Sequence, residues 1–200
     1  MKILITGDLH FIKPQFKWIE EQKNQYDCLC LTGDFLDERS SGFYEQAEWV
    51  SKWIKTLDKQ IFICSGNHDL DNFGECEWLE GLRSTKVCTD NQIKLFKGIK
   101  FGCIPYLGAN FYDFYDCDIL LNHVPPFKTS TSIDVETKKD WGDKELYKAI
   151  KTEIIRPHYI FSGHVDKPTE KRDQVFGVEI INPGSQRHDM IPEYKILSYQ

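Results

Sequence analysis

The chain has 200 residues, 40% of them hydrophobic, and 31 acidic against 25 basic side chains give a formal charge of −6. This length suits one domain with a substantial core, so a single domain over residues 1–200 is expected. The acidic balance speaks against a surface built to hold nucleic acid, and no stable nucleic-acid complex is expected; a metal-dependent enzyme acting on a phosphate ester stays open.

In chain order, residues 2–7 read as a first strand, and Pro14 then opens a helix over 14–25 with Phe16 and Ile19 facing inward. Residues 28–32 form a second, continuously apolar strand of the kind covered on both faces. Over 43–57, Phe43, Ala47, Val50, Ile54 and Leu57 recur at helical spacing, and 61–64 make a third strand. This βαβαβ order predicts a parallel sheet with right-handed crossovers. Beyond it, a short helix is expected at 75–82 and strands near 86–88, 92–96 and 99–104, read as an antiparallel segment. Residues 118–122 return to the buried-strand pattern, and the polar stretch 124–141 reads as a long functional or disordered loop. A helix over 143–154, a strand over 158–162 and closing strands over 174–182 and 194–198 complete the chain.

The seven cysteines are odd in number and fall mostly in apolar runs without metal-site spacing, so they read as buried free thiols. With a strand opening directly after Met1-Lys2, no signal peptide and no membrane-spanning run, a cytoplasmic protein without membrane contact is expected.

Five of the apolar strands end in the same grammar. They lead into Gly7-Asp8-Leu9-His10, Gly33-Asp34, Gly66-Asn67-His68-Asp69, Asn122-His123 and Gly163-His164-Val165-Asp166. Side chains of this kind are costly to bury without partners, and in α/β sheets sites gather at the carboxyl ends of strands. Asp8, His10, Asp34, Asn67, His123, His164 and Asp166 are more candidate ligands than one ion needs. Their mixture of oxygen and imidazole nitrogen fits Mn²⁺, Fe or Zn²⁺ better than Ca²⁺. Taken singly, each has a plainer reading: Asp8 as a helix cap and Asn67 as a turn residue. His158 and His188 lie outside the series and read as structural.

The five motifs, in this order, resemble the calcineurin-like metallophosphoesterase superfamily. Asn182-Pro183-Gly184-Ser185 is similar to a segment of its small bacterial and archaeal phosphodiesterases. The resemblance implies an α/β fold, a layered sandwich of two mixed β-sheets flanked by helices. It implies that Asp8 and His10 bind a first metal, that Asp34 bridges two metals, and that Asn67, His123 and His164 bind the second. The family's last motif ends in a histidine on the first metal; here Asp166 stands there, which tilts the expected pair of divalent ions toward Mn²⁺, with Fe or Zn²⁺ as alternatives. His68 is implied as a catalytic residue beside the phosphate, with Asp69 orienting it. The implied activity is hydrolysis of a phosphate ester, a small molecule or nucleotide and rather a diester than a monoester, by a water bridging the two ions. A non-catalytic scaffold on the same fold is the alternative, and the retained Asn67 and His68 speak against it. Arg187 could reach the substrate phosphate or belong to a solvated loop. Tyr106, Phe111 and Tyr112 read as core packing, or as the wall of a pocket.

Overall fold

The structure is a computed structural model that describes residues 1–37 and 42–199. Among the described residues the chain forms two sheets. The first has the strand order β11-β1-β2-β3-β4, with β1 at Lys2–Thr6, β2 at Cys28–Leu31, β3 at Gln60–Ile63, β4 at Val87–Cys88 and β11 at Lys195–Ser198. The second has the order β5-β6-β7-β8-β10-β9, with β5 at Gln92–Phe96, β6 at Ile99–Cys103, β7 at Ile119–Leu121, β8 at Tyr159–Phe161, β9 at Arg172–Val175 and β10 at Val178–Ile181. Strands β1 to β4 run parallel and β11 closes that edge antiparallel; β6, β7, β8 and β10 run parallel between antiparallel β5 and β9. Both sheets are mixed and helices flank them, in the layered α/β sandwich expected from the sequence.

Strand alternation builds the layers. Leu4, Leu29, Leu31, Ile61 and Ile63 face outward and pack against α1 (Lys13–Glu21) and α2 (Phe43–Thr56) through Phe16, Ile19, Val50 and Ile54. Their neighbours Ile3, Ile5, Cys28, Cys30 and Phe62 face the second sheet and meet Phe101, Cys103, Ile119, Leu121 and Phe161. Phe62 and Phe101 stack at the centre of this middle layer with ring centroids 3.9 Å apart. On the far side, Leu120, Ile160, Val178 and Ile180 pack under α4 (Lys144–Lys151) through Leu146, Ala149 and Ile150. Each fully buried side chain of this size contributes about 1.5–3 kcal/mol, so three such layers hold the strand ends rigidly. All seven cysteines are free thiols, and six are buried.

Helix ends follow the expected chemistry. Pro14 sits in the first turn of α1, and the Asp143 carboxylate caps α4 by accepting from the N–H groups of Glu145 and Leu146. Three segments differ from the sequence expectation. Residues 75–82 form only one turn of helix, α3 at Glu77–Glu80, with Leu79 and Leu82 buried in the outer core. Residues 174–182 are not one strand but the end of a hairpin, β9 and β10, which turns at Phe176-Gly177. Residues 87–88 extend the first sheet in parallel beside β3, so only β5 and β6 form the antiparallel pair. Residues 124–141 form a packed loop in which Thr129, Thr131 and Ser132 are buried and hydrogen-bonded. Among the described residues no helix is long and apolar enough to cross a membrane.

Candidate metal centre

The carboxyl ends of β1, β2, β3, β7 and β8 converge, and the loops leaving them bond to one another across the two sheets. Asp8 N–H donates to the Gly33 carbonyl (2.8 Å) and His10 N–H to the Asp34 carbonyl (3.0 Å). Gly163 N–H donates to the His123 carbonyl at 2.9 Å. His164 N–H, at the end of β8, donates to the Asp8 carboxylate at 2.9 Å and so ties the second sheet to the first.

The backbone is turned sharply at these points. Asp8, His10, Asp34 and His164 all take positive φ, between 42° and 68°. Non-glycine residues seldom adopt this region, and strain of about 1–3 kcal/mol each persists only where the surroundings enforce it. The neighbouring glycines make room for the ligands themselves. A Cβ on Gly66 would lie 2.2 Å from Asp34 Oδ1, and one on Gly163 would lie 2.1 Å from Asp8 Oδ2. No other residue lets the two carboxylates pass so close to the chain.

All seven ligand candidates are brought together. In one half of the centre, His123 Nε2 lies 3.1 Å from Asn67 Oδ1 and 3.3 Å from His164 Nδ1, and it lies 3.4 Å from Asp34 Oδ2. His123 Nδ1 sits 2.7 Å from the Thr32 carbonyl, which can only accept, so Nδ1 carries a proton and Nε2 is the ring atom turned inward. Oxygen and nitrogen atoms of four residues thus converge on one place, as ligands around a cation do. In the other half, ligand atoms of Asp8, His10 and Asp166 lie within 4.8 Å of one another. Asp34 forms a similar group with His10 and His68, and another with Asp8 and His123. Among the described residues His10 Nδ1 is buried with no hydrogen-bond partner, a costly state for a ring nitrogen. The donor set therefore fits divalent ions, and it is oxygen-rich with imidazole, without thiolate.

The electrostatics of the metal-free chain say the same. Burial opposes the charge on His123, but the Asp34 and Asp8 carboxylates outweigh it and hold the ring at about 10. Burial pushes Asp34 up, yet His123 and the His68 N–H bring its carboxyl well below the usual range. Burial drives Asp8 far upward and brings His10 and His164 down to about 4. A proton on His123 thus holds carboxylates together where a cation would otherwise do so.

His68 lies beside this cluster. Its ring stands edge-on to His10 with centroids 4.7 Å apart, and its Nε2 is 3.8 Å from Asp34 Oδ2. Asp69 departs from expectation: its carboxylate turns to the backbone, not to the His68 ring. It accepts from the N–H groups of Asp34 (2.7 Å), Phe35 (2.8 Å), Leu36 (3.2 Å) and Gly66 (2.8 Å). The β2 loop leaves donors with no strand partner, and a buried carboxylate satisfies them together with that of Gly66. Burial and the Asp34 charge raise its pKa to about 7 against those four bonds. The Thr32 carbonyl that fixes His123 is main chain and carries no sequence signal. Arg187, left open by its sequence, is half-buried and donates from Nη2 to His10 Nε2 at 3.1 Å. Tyr106 and Phe111 line a recess of about 230 Å³ beside His123, whereas Tyr112 is exposed.

A protein-family model described as calcineurin-like phosphoesterase matches residues 1–168. No curated protein matches the chain. Among solved structures, the Thermus thermophilus protein TT1561 superposes with a TM-score of 0.67 at 11% identity, over 92% of this chain and 88% of that one. A phosphodiesterase from an archaeon gives a TM-score of 0.53 at 18% identity, covering 98% of this chain and 100% of its own. The E. coli phosphoesterase YfcE gives 0.51 at 16% identity, over 99% and 88%. At these identities the likeness is one of fold.

Proposed function

The chain belongs to the calcineurin-like phosphoesterase family, whose members are metal-dependent hydrolases of phosphate esters, and on that premise we propose that it cleaves phosphodiesters at a two-ion centre. The observation that carries this reading is the position of Asp34. Its carboxylate faces His123 on one side and the His10–His68 pair on the other, and so can serve two ions at once.

In this reading Asp8, His10, Asp34 and Asp166 hold one ion, and Asp34, Asn67, His123 and His164 hold the other. Bound there, two divalent ions supply an ionised water near neutral pH and neutralise the phosphoryl oxygens. The residues of the chain do the rest. The Thr32 carbonyl keeps the His123 tautomer fixed. The Asp69 carboxylate holds the Asp34 loop and the Gly66 turn to one another, which fixes Asp34 against Asn67. His68, in the groove wall, faces the phosphoryl group and delivers a hydrogen bond or proton to the departing oxygen.

Two recesses support a diester over a monoester. One of about 390 Å³ is bordered by His68, Asn67, Phe43 and Tyr44. The other, of about 230 Å³, is bordered by His123, Asn122, Tyr106 and Phe111. Substituents on both sides of a phosphorus atom have somewhere to go. The oxygen-rich donor set favours Mn²⁺ over softer ions. The test is metal analysis of the purified protein, paired with hydrolysis of bis(4-nitrophenyl) phosphate and 4-nitrophenyl phosphate in Mn²⁺, Fe²⁺ and Zn²⁺. The expected result is two ions per chain and faster diester cleavage, best in Mn²⁺. A protein that binds the ions but cleaves neither ester would overturn the hydrolase reading, and preference for the monoester would overturn the diester one.

A further inference from the structure

The segment after β10 is built as an arm. Asn182 is fully buried, and its amide donates to the carbonyls of Thr131 (3.1 Å) and Val165 (3.2 Å). The Asn182 side-chain oxygen accepts from Gly184 N–H at 2.9 Å. Ser185 bonds to Asp166 twice, by its N–H to the carbonyl (2.9 Å) and by its hydroxyl to the carboxylate. The buried Gln15 of α1 reaches across and donates to the carbonyls of Gln186 (2.8 Å) and Asp189 (3.1 Å). These contacts fix the chain on both sides of Arg187.

The arm delivers a cation to the metal centre. A guanidinium has five N–H donors in a planar fork. Among the described residues, the Arg187 side chain spends one of them, on His10 Nε2 at 3.1 Å, and makes no ion pair although Asp8 and Asp166 belong to the same cluster. Four donors are left without a protein partner in a half-buried setting. The acceptor of the one bond is also a candidate metal ligand. The remaining donors of the fork therefore lie beside the place that a cation held by His10 would take. The ligand that satisfies several coplanar donors next to bound cations is an anion with several oxygens, and among the described residues no carboxylate pairs with the guanidinium.

We propose that Arg187 is a phosphate-holding residue of this centre, carried on the Asn182–Asp189 arm so that its guanidinium grips the non-bridging oxygens of the substrate phosphoryl group. The assignment rests on the phosphoesterase reading for its substrate and goes beyond that reading in naming a residue outside the metal-ligand set. It also gives the arm a purpose: the buried amide of Asn182 and the reach of Gln15 hold one side chain at one place. A guanidinium grips two oxygens at once, whereas an ammonium at the same point attracts them without orienting them.

The probe is inorganic phosphate, titrated calorimetrically into the Mn²⁺-loaded protein, with Mn²⁺ stoichiometry measured separately in the same variants. Arg187→Gln is expected to keep both Mn²⁺ ions and to bind phosphate about ten- to a hundredfold more weakly. Arg187→Lys is expected to recover part of that loss and to fold wherever the Gln variant does not. In turnover of the diester, KM rises more than kcat falls. Unchanged phosphate affinity in Arg187→Gln with both ions bound overturns the proposal. So does loss of an ion in that variant, because the arginine then supports His10 instead of the substrate. Wild-type protein that binds Mn²⁺ and phosphate yet hydrolyses no ester would refute the esterase reading and leave Arg187 standing as an anion-binding residue. Undiminished hydrolysis with unchanged phosphate affinity in Arg187→Gln would do the reverse.

Discussion

The two halves of the candidate metal centre are organised differently. Where Asn67, His123 and His164 meet Asp34, the donor atoms face one another at 3.1–3.4 Å, and His123 is buried and pinned by a main-chain carbonyl. Where Asp8, His10 and Asp166 meet, Asp166 is exposed, and two of the donors are already engaged by the arm: His10 by Arg187 and Asp166 by Ser185. An ion entering the first half displaces protons from a preformed cluster. An ion entering the second displaces hydrogen bonds from neighbours that must move. The expectation is that the His123 half fills first and more tightly. Substitutions can separate the two halves or remove what joins them.

Asp34 joins them, and its loss carries the largest effect. Asp34→Ala should abolish two-ion binding and cut turnover by about 10³-fold or more, since metal charge stabilisation is worth several kcal/mol. Calorimetric titration with Mn²⁺ that still shows two intact sites would remove Asp34 from the bridging position. Asp69 acts on the same residue from behind. Asp69→Ala strands four backbone N–H groups, and the expected loss is on the order of 3 kcal/mol of stability, read from urea unfolding of the metal-free chain. Asp69→Asn keeps an acceptor and should lose less.

His68 sits at the border of the halves, and its removal tests whether it belongs to either. His68→Ala should retain both ions and lower turnover by about 10²-fold, the scale of a single acid–base or electrostatic contribution. Loss of one ion in that variant would make His68 a ligand.

Much of this centre could be read in the sequence, because its chemistry is carried by residues at strand ends. The five motifs alternate with apolar runs whose inward and outward positions fix each strand's face. Leu4 against Ile3 and Ile5, or Phe62 against Ile61 and Ile63, place the strand ends without tertiary information. The errors fell where a residue's role depends on a contact distant in sequence. Asp69 reads as a partner for its neighbour His68, yet three of its four bonds go 33 to 35 residues back, to a loop whose unpaired N–H groups are invisible until β2 ends. Residues 86–88 read as part of an antiparallel segment, because so short a run shows no periodicity and only pairing with β3 assigns 87–88 to the first sheet. Arg187 lies 177 residues from His10, and no local pattern announces the meeting.

The tight half also has a proton signature. In the metal-free chain His123 is held at about 10, so it is charged at neutral pH. That raised value adds stability to the metal-free fold which is fully present below the ordinary histidine value near 6.5 and fades as pH rises through about 10. An ion at His123 Nε2 must expel that proton, so Mn²⁺ affinity should climb across the same range while metal-free stability falls. Calorimetry in buffers of different ionisation heat should count about one proton released with the tighter ion. Binding heats that do not depend on the buffer would take His123 out of the ligand set.

The smallest expected effect belongs to Asp166, at the open half. Asp166 is exposed, and its carboxylate already accepts from the Ser185 hydroxyl, so an ion gains only part of its charge. An added carboxylate contributes anionic charge to the hold on a divalent ion but lowers the acidity of water beside it, and oxygen donors favour Mn²⁺. Asp166→His should therefore move the best activating ion toward Zn²⁺ or Fe²⁺ and shift the activity profile to lower pH, with turnover within about tenfold of wild type in the preferred ion. Asp166→Ala should weaken the second, looser Mn²⁺ step and leave the tighter one nearly unchanged. Equal weakening of both steps would give Asp166 a folding role through Ser185. A wild-type metal preference and pH profile in both variants would place Asp166 outside the ligand shell, and the open half would then rest on Asp8, His10 and the shared Asp34.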